Sequence, residues 1–134
     1  MVDDNESDNF LHSRLLKKAA IADNIEIALN GKEALDLLAG KGPYETPGRS
    51  DSQPELIFLD INMPVLDGWE FLEEYQKLDH NPDRKIVFII LTTSLNPADK
   101  MKADTLLHCG CFYFKPMTLS MINEILLNHF PDYL

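Results

Sequence analysis

Two continuous apolar runs limit what this chain can fold into: "ELIFL" at residues 55–59 and "KIVFIIL" at residues 85–91. Neither alternates apolar with polar residues. A strand that is apolar on both faces must be covered on both faces, as in a parallel sheet between two helical layers. The segments around the runs carry the helical period. Residues 8–22 place Leu11, Leu15, Lys18 or Ala19, and Ala22 at helical spacing. "IEIAL" (25–29) reads as a strand, and Asn30 can cap a helix with Ala34, Leu35, Leu38 and Ala39 on one face. Gly40, Gly42 and Pro43 stop that helix. Asp67 and Glu70 suit a capping box for a helix holding Trp69, Leu72 and Tyr75. Asn96-Pro97 starts another helix by cap and first-turn proline. Cys111 to Phe114 is a short strand, and Thr118 caps a last helix bearing Met121, Ile122, Ile125 and Leu126. With "MVDD" as the end of a first strand, the order is (βα) repeated five times. Such alternation predicts an α/β domain whose parallel sheet has helices on both faces.

The 134 residues, 45% of them hydrophobic, suffice for one domain with a real core, taken as residues 1–134. Residues 40–54 are polar and rich in Gly and Pro, and read as a mobile insertion loop, with a partner-specific contact as the functional alternative. The longest apolar stretch, residues 86–91, is far too short to cross a bilayer, and no secretory pattern opens the chain. The formal charge of −10 speaks against direct nucleic-acid binding, which needs basic surface, and suits cations and basic protein partners. Cys109 and Cys111 stand too close for a comfortable disulfide and have only His108 beside them as a further metal ligand. They read as small packing residues of a reduced, cytoplasmic protein. His12, His80, His108 and His129 share no ligand spacing and read as surface or packing residues.

Ligands of open parallel sheets bind beyond the carboxyl ends of the strands. Asp3-Asp4, Asp60, Thr92-Thr93 and Lys115-Pro116 stand at four such ends. Taken singly, each has a commonplace explanation: acids cap helices, threonines favour strand ends, a lysine before proline is usually solvated. Together they place three carboxylates, a hydroxyl and an ammonium on one edge. Two carboxylates about 4 Å apart repel by roughly 4 kcal/mol at an effective dielectric near 20. Three therefore ask for a cation, and oxygen ligands of this kind suit Mg²⁺ together with a phosphoryl group. A strand-end carboxylate such as Asp60 can attack phosphorus and form an acyl phosphate, with Lys115 and the Thr92 hydroxyl stabilising the transferring oxygens.

"VDD" (2–4), "FLDINMPVLDG" (58–68), "ILTTS" (90–94) and "FKP" (114–116), in that order, make the chain resemble a receiver domain of a two-component response regulator, of the chemotaxis-regulator type. The resemblance implies a flavodoxin-like doubly wound (βα)5 fold with strand order 2-1-3-4-5. It implies that Asp60 is phosphorylated by a phosphohistidine on a sensor histidine kinase or a histidine phosphotransfer protein, the chain acting as a signalling phosphoacceptor rather than an enzyme. Such a domain would promote its own phosphotransfer and dephosphorylation. Mg²⁺ would be held by Asp4 directly, by Asp3 mainly through water, by Asp60 and by the Asn62 backbone carbonyl. Thr92, which follows Ile90-Leu91 directly, would be the switch hydroxyl, Phe112 the aromatic that follows it, and Lys115 the phosphoryl-binding cation. A cis peptide would precede Pro116, and Asn62 and Ser94 would tune signal lifetime. The face of the fourth helix, fifth strand and fifth helix would then change for a downstream effector protein. A full two-state flip needs about 5.5 kcal/mol, which a few charge-assisted hydrogen bonds of roughly 1.5–3 kcal/mol each can supply. A homodimer is left open.

Only Met1 and Val2 precede the acid pair, where the family has several apolar residues. The first strand is therefore expected to be short or truncated, with a further start upstream. Two other readings compete. A haloacid-dehalogenase-like phosphatase also uses a strand-end Asp, but wants a second Asp where Asn62 stands. A phosphorylation-independent interaction module would not need the acid pair, Thr92 and Lys115.

Overall fold

The computed structural model of the chain describes residues 1–19, 25–39, 56–77, 86–107 and 112–130. Three strands, β1 (Leu56–Leu59), β2 (Val87–Thr92) and β3 (Phe112–Phe114), form a sheet in that order. Both pairings are parallel. Leu56 faces Val87 and Leu59 faces Ile90 across the first, and Ile90 faces Phe112 and Thr92 faces Phe114 across the second. The two apolar runs thus become adjacent inner strands, as their lack of polar alternation requires.

Among the described residues, five helices accompany the sheet: α1 (Glu6–Lys18), α2 (Gly31–Ala39), α3 (Gly68–Lys77), α4 (Pro97–Leu107) and α5 (Leu119–His129). Their starts are written in short polar side chains. The Asn30 Oδ1 accepts from the Glu33 N–H at 2.9 Å, and the Thr118 hydroxyl accepts from Met121 N–H at 3.1 Å. Asp67 and Glu70 close a reciprocal capping box, at 2.8 and 3.2 Å. The Asn96 side chain receives the Ala98 N–H at 3.0 Å. Helix α1 begins two residues before the expected position 8. Asn5 is its cap, accepting from Asp8 N–H at 3.0 Å, and Glu6 and Asp8 occupy the favourable first turn.

The expected first and second strands contract to single bridging residues. Val2 bridges Ala28 on one side and Leu59 on the other, both in parallel. Four backbone hydrogen bonds fix this: Val2 N–H to Phe58 O, Asp60 N–H to Val2 O, Asp3 N–H to Ala28 O and Ala28 N–H to Met1 O, at 2.8–3.0 Å. The lateral order Ala28, Val2, β1, β2, β3 is the order 2-1-3-4-5 read across the segments. The second strand's contraction has a physical reason: among the described residues the 25–29 segment lies outermost, with Ile27 exposed. The 40–54 loop, Cys109, Cys111, His80 and His108 lie outside the described residues.

The pleat divides the core. Ile57, Leu59 and Ile90 point to one face and pack with Ala34, Leu38, Phe71, Leu72 and Ala103 from α2, α3 and α4. Phe58, Ile89 and Leu91 point to the other and meet Leu16 of α1 and Ile122, Ile125 and Leu126 of α5. Tyr75 and Phe88 meet edge-on at 5.1 Å beside Phe71. Trp69 and His12 are buried, as a packing role requires. His12 Nε2 accepts from Met117 N–H at 3.3 Å, and burial lowers its pKa, which keeps the ring neutral enough to accept.

Gly68 sets how closely α3 approaches β1. A β-carbon there would lie 2.7 Å from the Asp60 carbonyl oxygen and 2.7 Å from Ile61 Cα, both backbone atoms that cannot swing aside. Gly68→Ala is expected to destabilise the protein by about 1–3 kcal/mol, the usual cost of overpacking, despite alanine's better helix propensity. Urea denaturation of the two proteins measures the difference.

Candidate functional site

The carboxyl ends of the segments that flank and form the sheet carry Asp3, Asp60, Thr92 and, one residue past β3, Lys115. Backbone pairing places them together. Asp3 and Asp60 follow the Val2–Leu59 bridge directly, and the Lys115 N–H donates to the Thr92 carbonyl at 2.9 Å. Asp3 is further tied by its own carbonyl, which accepts from the buried Asn9 side chain at 2.8 Å. Its carboxylate accepts from the Asn5 N–H at 3.0 Å.

The centre is the Lys115 ammonium, whose side chain is only 9% exposed. Its Nζ lies 2.6 Å from Asp3 Oδ2, 2.8 Å from Asp8 Oδ2 and 3.4 Å from Asp60 Oδ2. Three N–H donors thus meet three carboxylates. Burial alone would lower the lysine's pKa, but hydrogen bonds to Asp3 and Asp8 and the charge of Asp60 outweigh it and hold the group well above the ordinary lysine range. Asp60 moves upward as well. Burial raises its carboxyl and Asp3 pushes the same way, while Lys115 and the Asn62 N–H, 3.3 Å from Asp60 Oδ1, offset this only in part. The Lys115-Pro116 peptide is cis, as the resemblance implied.

Asp3, Asp4 and Asp60 offer carboxylate oxygens that all lie within 4.8 Å of one another, Asp4 from an exposed position. An all-oxygen set of three acids fits a hard divalent cation. Asn62 is exposed beside it. The loop beyond Asp60 turns sharply at Val65, whose φ of 69° places a β-branched residue in the left-handed region. The Leu66 N–H bonds Pro64 O at 2.7 Å around it, and the Leu66 carbonyl accepts from Gly31 N–H at 3.2 Å.

Thr92 is fully buried, and its Oγ1 accepts from the Ser94 N–H at 3.1 Å. Ser94 leads onward. Its hydroxyl donates to Asp99 Oδ2 at 2.5 Å, and Asp99 Oδ1 accepts from Trp69 Nε1 at 3.3 Å. The Lys102 ammonium sits 5.2 Å from the Trp69 ring centroid. A chain of polar contacts therefore runs from the end of β2 through the first turn of α4 to the first turn of α3. Phe112 lies opposite Ile90, two residues before the strand position facing Thr92, half-buried and edge-on to Phe114 at 5.5 Å.

Every side chain singled out at a strand end is thus near the same rim, with Phe112 set back from it. Asp8 and Asp99 were not singled out. Both are first-turn helix acids, a pattern that ordinarily reads as a partner of the helix dipole. The available signal was position: each helix starts just after a strand end of the ligand edge.

A parallel α/β domain with buried acids and a lysine at its strand ends has a donor set that fits a hard cation at that edge. Comparison narrows this to a family. Residues 1–126 match the family model described as response regulator receiver domain. Response regulator Rcp1 of Synechocystis sp. (strain ATCC 27184 / PCC 6803 / Kazusa) is 36% identical over 89% of this chain and 76% of its own. The Mn(2+)-bound form of Rcp1 superposes with a TM-score of 0.72 and 34% identity, over 93% of this chain and 88% of that one. The phosphorylated cyanobacterial phytochrome response regulator RcpA gives 0.69 and 30%, over 95% and 86%. The chain belongs to the response regulator receiver family, the phosphoacceptor domains of two-component signalling. Membership carries with it a histidine kinase as the source of the signal. Among the described residues, no helix is long and apolar enough to cross a membrane.

The raised pKa of Asp60 makes a pH prediction. Its ionised form is disfavoured in the folded chain, so the native state gains relative stability as pH falls through the raised folded value, and the gain is complete below the unfolded value near 3.8. Without divalent cation, Asp60→Asn is expected to melt higher than wild type at pH 7. The difference should shrink steadily as pH is lowered toward about 4. Paired thermal melts across that range measure it.

Proposed function

We propose that Asp60 is the phosphoacceptor, that Asp3, Asp4, Asp60 and the Asn62 carbonyl hold Mg²⁺, and that Thr92 and Lys115 bind the transferred phosphoryl group. The observation that carries this reading is the meeting of Asp3, Asp60 and Lys115 in one buried cluster, with the Thr92 hydroxyl on the neighbouring strand end. The Mn(2+)-bound and phosphorylated relatives support both halves of it.

The chemistry follows from the groups present. An Asp60 oxygen attacks phosphorus, a new P–O bond forms, and the bond to the donor nitrogen or oxygen breaks with its electron pair leaving on the donor. Bound Mg²⁺ supplies neutralisation of charge on the transferring oxygens. The Lys115 ammonium, 3.4 Å from Asp60, stands where it can stabilise the transferring oxygens. Ser94 N–H now occupies Thr92 Oγ1. A phosphoryl oxygen that draws the Thr92 hydroxyl toward Asp60 competes with that bond and disturbs the Ser94–Asp99–Trp69 chain.

The donor is a phosphohistidine of a sensor kinase or a phosphotransfer protein. The output is a protein effector that reads α4, β3 and α5. That face has exposed apolar side chains on each element: Met101 (69%), Phe114 (50%) and Leu119 (47%).

Asp60→Asn is expected to abolish phosphorylation by a small acyl-phosphate donor, as is a chelator of divalent cations added to wild type. Labelling is read by intact mass or by a phosphate-affinity gel. Equal labelling of wild type and the Asp60→Asn variant overturns the assignment. Trp69 is the chain's single tryptophan and serves as a reporter. Its emission is expected to change on phosphorylation of wild type. With Asp99→Ala, Asp60 should still label while the emission change is lost.

A further inference from the structure

Of the three carboxylates on Lys115, two also belong to the cluster that could hold a cation: Asp3 and Asp60. The third, Asp8, does not. It reaches the ammonium from the first turn of α1, at 2.8 Å, closer than Asp60 at 3.4 Å. The helix is fixed for this by Asn5, whose side chain caps the Asp8 N–H, and the Asp3 carboxylate receives the Asn5 N–H in turn. Asp8 is therefore held in register with the acid pair by a short chain of local bonds.

This arrangement addresses a conflict within the pocket. An ammonium and a divalent cation compete for the same two carboxylates. Without a further acid, the Lys115 charge would rest wholly on Asp3 and Asp60 and oppose cation binding. A carboxylate outside the cation's donor set can hold the lysine instead. The ammonium then stays beside the pocket, yet bears on Asp3 and Asp60 less.

We propose that Asp8 is a positioning residue that takes up the Lys115 charge so that Asp3, Asp4 and Asp60 are free to bind a divalent cation. The inference rests on the metal and phosphoacceptor reading above and adds a residue to it. Asp8 touches neither the cation nor the phosphoryl group; it acts through Lys115.

The test is calorimetric titration of the full 134-residue chain with Mg²⁺ and no phosphoryl donor. Asp8→Asn is expected to weaken Mg²⁺ binding by about three- to tenfold, as expected when one partly exposed carboxylate beside an ion is neutralised. Asp8→Glu, which keeps the charge, should recover most of the loss. In the Lys115→Gln background, where there is no ammonium to take up, Asp8→Asn should change the affinity by less than about twofold, the non-additivity of a coupled pair. Thermal melts establish that each variant is folded. Equal Mg²⁺ affinity of wild type and Asp8→Asn overturns the proposal, and so does an equal loss with and without Lys115. Labelling of Asp60 is read separately. A wild type that binds Mg²⁺ but does not label Asp60 refutes the phosphoacceptor assignment and leaves the Asp8 comparison standing.

Discussion

The Lys115 ammonium is shared by carboxylates from three different segments: the end of the Val2 bridge, the first turn of α1 and the end of β1. The rest of the rim depends on this one interaction. Asp3 and Asp60 are both buried, and acids so close and so poorly hydrated repel each other strongly. A lysine held by Asp3, Asp8 and Asp60 at once offsets that repulsion. On the proposed reading, the same contacts place its charge where a transferred phosphoryl group would need it.

The cost of that economy is visible in Asp60. Its carboxyl remains harder to ionise than a free aspartate even with Lys115 beside it, because burial and Asp3 together exceed what the lysine and the Asn62 N–H return. On the proposed reading of Asp60 as nucleophile, a partly desolvated oxygen is reactive toward an electrophile once it is deprotonated, and the site would trade some stability for readiness.

The sequence made the scaffold largely legible, for reasons that differ element by element. β1 and β2 were readable because both of their faces are buried, which leaves an unbroken apolar signal. α2, α3 and α5 were readable because Asn30, Asp67 with Glu70, and Thr118 cap them through local hydrogen bonds that need no tertiary context. The start of α1 was misplaced because its apolar period begins after its cap, Asn5. The first strand is short, as the sequence led one to expect, and pairs through Val2; the second was over-read, since the 25–29 segment pairs through Ala28. The strand-end residues were found through the resemblance and through a general rule about parallel sheets. Asp8 and Asp99 escaped both, since each has an adequate local reason to be where it is, and the second partner of each lies far away in sequence: Lys115 for one, Trp69 for the other.

The split of the core has its own consequence. The α1/α5 layer and the α2/α3/α4 layer pack on opposite faces of the sheet, with separate apolar clusters. Lys115 and Asp8 tie the rim to the first layer, and Ser94, Asp99 and Trp69 tie it to the second. The rim is thus joined to both helical layers, at the start of α1 on one side of the sheet and at the starts of α3 and α4 on the other.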